Sequence, residues 1–141
     1  MSYLLDSSAW LAHLFGEPGM EEVNQLFADE GNTVGVSVLS LPEIYARLKA
    51  LDQQDQWPNM WNIYAELFTR VIPVDERIAH RAIFMRTASP TRLPTIDGLI
   101  AATAGVYQLT LVHRDPHFSV FPAEHLRQIQ LPDKELPTNN L

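Results

Sequence analysis

Short aliphatic runs alternate with longer helical patterns along this chain, and that alternation limits the fold more than any other feature. Residues 3–5 (YLL), 33–36 (TVGV), 71–74 (VIPV) and 109–112 (LTLV) read as strands, and 127–131 (RQIQL) as a fifth. Between them, residues 9–15, 19–28, 41–54, 57–68, 76–87 and 96–106 read as helices. Leu41, Ile44, Tyr45, Leu48 and Leu51 form one such apolar stripe. Strands separated by helices run parallel, because each helix returns the chain to the edge it left. A parallel sheet is covered on both faces, so the reading is an α/β protein. Pro73 offers no amide proton and puts its run at the sheet edge. Ala101, Ala102, Ala104 and Gly105 make the last long helix smooth enough for close packing on a sheet. With 141 residues, 46% of them apolar, the chain can bury one core. Residues 1–131 are expected to form that domain, and 132–141 (PDKELPTNNL) a loose tail.

Composition removes several classes of chemistry. Cysteine is absent, which excludes disulfide scaffolds, thiolate zinc sites and cysteine nucleophiles. No apolar run approaches the ~18–20 residues of a membrane span. The N-terminal MSYLLD lacks the basic segment of a secretory signal, so a soluble, cytoplasmic protein without a membrane partner is expected. Neither Gly-rich nucleotide loop is present. Net charge is −7, from 17 acids and 10 bases, the opposite of a broad basic nucleic-acid face. Any nucleic acid must therefore be met by a bound metal or by a few arginines, which are eight of the ten bases.

In open parallel sheets, ligands bind beyond the carboxyl ends of the strands, where strand order reverses. Asp6 ends the first run and Asp115 lies just past the fourth; Glu43 and Asp97 sit where two helices begin. Singly, each has a structural explanation. Asp6 or Ser7 caps the helix at Ala9, and Asp115 before Pro116 is an N-cap followed by proline. Ser40 and Glu43 match a capping box, and Asp97 suits the positive end of a helix. Together, four carboxylates at one sheet edge would repel one another unless a cation lay among them. An all-oxygen site selects a hard ion such as Mg²⁺ or Mn²⁺, and such a site suits attack of water on a phosphodiester.

The blocks LLDSSAW (4–10), SVLSLPEI (37–44), LPTIDGLIAATA (93–104) and LVHRDPHF (111–118) occur in this order across most of the chain. Together they resemble the PIN-domain family, and within it the VapC-type toxin ribonucleases. The resemblance implies a three-layer α/β/α sandwich around a short parallel sheet. It also implies a metal-dependent endoribonuclease, the toxin of a type II toxin–antitoxin pair, with an antitoxin protein as partner and a homodimer as the family habit. By matching positions, Asp6, Glu43, Asp97 and Asp115 are its catalytic and metal-binding acids, holding Mg²⁺ or Mn²⁺, with Asp6 and Asp97 the firmest ligands. Ser8 stands where the family carries a small polar residue supporting the first aspartate. His113 and His117 depart from the family, which more often has Thr or Ser at the first and an acid at the second. They read as local packing or hydrogen-bonding residues, the alternative being a proton donor or a bias toward Mn²⁺.

Ser8, Arg92 and Arg114 are the candidate substrate-binding residues: the two arginines adjoin motif acids and are the best contacts to substrate phosphate, the alternative for each being a solvated surface arginine. Trp57 and Trp61, one helical turn apart, read as core or interface in preference to a platform for bases. His13, His80 and His125 form no metal spacing. Two rival functions fit the same residues. One is a non-catalytic binding module that uses the acids only as caps. The other is a metal phosphohydrolase acting on a different phosphate ester.

Overall fold

Five parallel strands, β1 (Ser2–Leu5), β2 (Thr33–Ser37), β3 (Arg70–Ile72), β4 (Thr110–His113) and β5 (Gln128–Gln130), form one sheet in the order β3-β2-β1-β4-β5. The computed structural model describes residues 1–133. The expected tail therefore lies outside the described residues beyond Asp133. Among the described residues the α-helices are α1 (Ser7–Phe15), α2 (Met20–Ala28), α3 (Ser40–Ala50), α4 (Trp57–Leu67), α5 (Glu76–Ala88) and α6 (Thr95–Tyr107). None is long and apolar enough to cross a membrane.

Strand alternation sorts the side chains to two faces. Tyr3, Leu5, Val34, Val36 and Val112 pack under α1 to α4, with Trp10, Ile44 and Tyr64 from the helices. Leu4, Ile72 and Leu111 point the other way, onto Ile78 and Met85 of α5 and Ile100, Ala101 and Ala104 of α6. The result is a three-layer α/β/α sandwich. Leu4, Leu5, Leu111 and Val112 are fully buried, each contributing about 1.5–3 kcal/mol by removal from water. Trp10 fixes α1 against α4, its ring centroid 5.4 Å from that of Tyr64 and 5.0 Å from Phe68. Trp57 and Trp61 stack at 5.8 Å on the edge of the same core, as expected of packing residues.

Several boundaries differ from the sequence reading, each for a local reason. The apolar stripe of α3 does not carry the helix to residue 54. It stops at Ala50 because Asp52 takes a left-handed backbone (φ 57°) and the Gln53 amide turns back to the Leu48 carbonyl. β3 ends at Ile72, before Pro73, and it is an edge strand. β4 begins one residue late, since the Leu109 amide still bonds the Ala104 carbonyl of α6. The capping box at Ser40 and Glu43 does not form. The α3 cap position is Leu39, whose amide is satisfied by the Ser37 hydroxyl at 3.1 Å.

Candidate functional site

The chain leaves β1 toward β2 and β3 on one side, then returns to place β4 and β5 on the other. Strand order thus reverses between β1 and β4, and the two helical connections diverge to open a crevice beyond their carboxyl ends. Asp6 immediately follows β1, its amide bonded to the Val112 carbonyl of β4 at 3.0 Å. Asp115 lies two residues past β4, and Glu43 and Asp97 stand in the first turns of α3 and α6. All four line one cavity of about 380 Å³, together with Ser7, Ser8 and Arg114.

Three of the carboxylates are held by their own surroundings. Asp6 caps α1, its Oδ1 accepting from the Ala9 amide at 2.8 Å and from the Ser8 hydroxyl at 2.7 Å. Asp115 caps the short turn at Pro116–Val120 through the His117 amide at 2.9 Å, with His117 Nδ1 2.9 Å from the same oxygen. Glu43, freed from the capping box, accepts from the Ser7 hydroxyl, which lies 2.9 Å from Ser40 Oγ. Capping and clustering are therefore not alternatives for Asp6 and Asp115; one carboxylate does both. Sequence reasoning gave Ser7 only a capping role. Its place on the inward turn of α1, one residue after the aspartate, was the available signal.

The electrostatics follow from this crowding. Burial pushes the Asp6 carboxyl up to about 7; Asp97 adds to the rise, while the Ser8 and Ala9 hydrogen bonds and the Arg114 charge oppose it. Asp97 is also raised, first by burial and then by the negative charges of Glu43 and Asp115. Four carboxylates on one cavity, the ionised forms of Asp6 and Asp97 disfavoured there, are the donor chemistry of a hard divalent cation. Among the described residues, no three such side chains are close enough together to form a ligand set.

The remaining candidates fall in different places. Arg114 reaches the cavity but its side chain is 8% exposed and committed elsewhere: Nη2 bonds Glu17 Oε1 and the Ser8 carbonyl, both at 2.9 Å. Its backbone amide also donates to the Ser8 hydroxyl at 3.1 Å. It braces the Asp6 loop; Glu17, its partner, carried no motif signal. Ser8 likewise turns to Asp6. Arg92 is exposed in the loop before α6 and does not line the cavity. His113 is fully buried, and burial pushes its pKa down. Nδ1 accepts the Asp115 amide at 3.0 Å, so Nε2 carries the proton and donates to Gln128 Oε1 at 2.8 Å. That leaves His113 no lone pair for a metal; it supports the Asp115 turn. His117 is exposed beside Asp115. A larger cavity, about 630 Å³, lies elsewhere, an apolar groove among α1, α3 and α4 lined by no acid.

The model of the PIN domain family matches residues 3–124. No curated protein matches the sequence. Among solved structures, the chain resembles one from VapBC2 of Rickettsia felis bound to a DNA fragment from its promoter, at 18% identity and a TM-score of 0.75, covering 92% of this chain and 98% of that one. A chain of FitAcB from Neisseria gonorrhoeae is similar at 22% identity and a TM-score of 0.74, covering 92% and 97%. A third is from VapBC-5 of Mycobacterium tuberculosis, a member of the VapBC family of toxin-antitoxin systems, at 21% identity and a TM-score of 0.65, covering 92% and 98%.

Proposed function

The chain belongs to the PIN domain family, and from that premise we propose that it is a metal-dependent endoribonuclease, the toxin of a type II toxin–antitoxin pair. The observation that carries this reading is the convergence of Asp6, Glu43, Asp97 and Asp115 on one cavity at the switch point of the sheet. Asp6 and Asp97 are the two whose ionised forms are most disfavoured without a counter-charge, and they are the first ligands of Mg²⁺ or Mn²⁺. Glu43 and Asp115 complete the set. A divalent ion there supplies Lewis acidity, lowering the pKa of water and offsetting charge on the phosphate being cut.

The protein's own residues do the positioning. Ser8 and the Ala9 amide orient Asp6, Ser7 orients Glu43, and His113 with the His117 amide holds the Asp115 turn. Arg114 acts on Asp6 through its charge and through Ser8, because its guanidinium is already paired with Glu17. The products expected of the family are 5′-phosphate and 3′-hydroxyl ends. One of the structural relatives is a member of the VapBC family of toxin-antitoxin systems, which supports an antitoxin as partner. Its segment over the cavity would place a cation among the four acids in competition with metal. The homodimer is part of the same proposal.

The test is cleavage of total RNA by purified, antitoxin-free protein in Mn²⁺ or Mg²⁺. Discrete cuts are expected, abolished by EDTA and reduced at least ~100-fold by Asp6→Asn or Asp97→Asn, the loss typical of removing a charge-stabilising group. Turnover of a chromogenic phosphate ester faster than RNA would replace this reading with the phosphohydrolase. Neither cleavage nor divalent-ion binding would leave the non-catalytic module.

A further inference from the structure

Five of the eight arginines fall within residues 70–92, alongside only two acids, in a chain whose net charge is −7. Spread along the sequence, they have no evident common purpose. The fold gathers Arg70, Arg77 and Arg81, with Arg127, around the C-terminal end of α6. The guanidinium carbons of Arg70 and Arg77 lie 4.7 and 5.5 Å from the centroid of the Tyr107 ring. The next residue, Gln108, accepts Arg127 at its carbonyl. Arg127, Gln108, Arg81 and His125 line a cavity of about 380 Å³. Arg81 is fixed in its wall: Nη2 donates to the His125 carbonyl at 2.9 Å, and the guanidinium lies 4.7 Å from the Phe84 ring centroid. Phe84 in turn meets His125 edge-on at 5.0 Å. Gly105 admits this arginine, since a Cβ there would stand 2.9 Å from Arg81 Nε.

Carboxylates share the surface: Asp75 is 3.8 Å from Arg77, Glu124 lies on the cavity wall, and Glu76, next to Arg77 in sequence, meets His80 at 3.3 Å. Four guanidiniums therefore stand against three acids. The negative end of a helix attracts cations, which accounts for Arg127 at the Gln108 carbonyl. It does not account for Arg70 and Arg77, which rest on an aromatic face instead. Asp97 is in the first turn of α6 and Tyr107 is its last residue, a rise of ~15 Å. An acidic pole and a basic pole thus occupy opposite ends of one helix.

We propose that the basic pole around Tyr107 and Gln108 binds the phosphodiester backbone of single-stranded RNA, apart from the acidic cavity. Guanidiniums interleaved with aromatic rings are suited to phosphates and to the faces of bases at once. An acidic protein segment would use the charge but has no need of Tyr107, Phe84 and His125 set among the arginines. The arrangement also answers the net charge. RNA repelled by the four carboxylates is retained by arginines one helix length away. The proposal rests on the ribonuclease reading only in naming RNA as the nucleic acid.

The test is fluorescence anisotropy of a labelled single-stranded RNA with full-length, antitoxin-free protein, in EDTA so that no cleavage occurs, across a series of salt concentrations. The variant Arg70→Gln/Arg77→Gln/Arg127→Gln removes three exposed charges and leaves the packed Arg81 in place, with thermal unfolding as a check on its fold. Affinity is expected to fall at least tenfold, and the slope of log Kd against log salt to drop by about 2, at ~0.7 for each phosphate no longer neutralised. The corresponding triple Lys variant should keep a slope near wild type. Wild-type affinity and slope in the Gln variant would overturn the proposal, as would equal losses in the Gln and Lys variants, which would mean packing and not charge. An unchanged slope with altered sedimentation would reassign the face to a protein partner. Cleavage in Mn²⁺ is scored separately. A wild type that binds RNA through this face but never cuts it defeats the nuclease reading alone, and one that cuts RNA with no help from these arginines defeats only the basic pole.

Discussion

Asp6 carries the heaviest load of any single residue, because it ends a strand, caps a helix and lines the cavity with the same carboxylate. Its cost can be measured. An unfolded aspartate ionises near 3.9, whereas burial holds the folded carboxyl up to about 7. Between those values the unfolded chain has released a proton that the folded chain keeps. Metal-free stability is therefore full below the lower value, falls as pH rises, and levels off above about 7. The penalty is on the order of 4 kcal/mol if Asp6 acts alone. Asp6→Asn cannot ionise and still offers an oxygen to the Ala9 amide. In chemical denaturation without metal, the variant should match or exceed wild type, by a margin that grows from about pH 4 to about pH 7. Added Mn²⁺ should stabilise wild type and leave the variant unmoved. A margin flat across that range would show that Asp6 bears no such penalty. The four acids were legible in the sequence as residue types at strand and helix ends. The commitment of Arg114 to Glu17 was not, since the two are 97 positions apart.

Elements were read well where the pattern was local. β1, β2 and β4 are built on short runs of aliphatic or β-branched residues, and Pro73 marked the edge because a missing amide is a local fact. Errors came at ends, where one residue's backbone decides: Asp52 in the left-handed region closed α3 early despite the continuing apolar stripe. The link between α1 and α2 shows the same dependence. Gly16 ends α1 with a left-handed backbone, and Gly19 precedes α2 at φ 102°. A Cβ on Gly19 would also meet Leu131 at 3.1 Å. Gly19→Ala should cost about 1–2 kcal/mol from the backbone strain, with a further loss if Leu131 cannot yield, read as a lowered urea midpoint at constant m-value. A neutral result would show that this turn can relax into a right-handed conformation.

On the scale of the whole molecule, one sheet serves two cores. Leu4 faces α5 and α6, and Leu5 faces α1 to α4; both are fully buried. Leu4→Ala and Leu5→Ala should each cost about 2–5 kcal/mol, and both should move a single cooperative unfolding transition because the layers share β1. Two separate transitions in either variant would mean that the faces fold independently. The sequence by itself determined the α/β class, the parallel sheet, the edge strand and the identity of the four acids, because periodicity, proline and strand-end position are properties of neighbouring residues. Only the tertiary structure decided that strand order reverses between β1 and β4, that Glu43 turns to Ser7 instead of its own helix cap, and that dispersed arginines meet around Tyr107. Those facts depend on pairings between residues tens of positions apart, which hydrophobic periodicity along the chain does not encode.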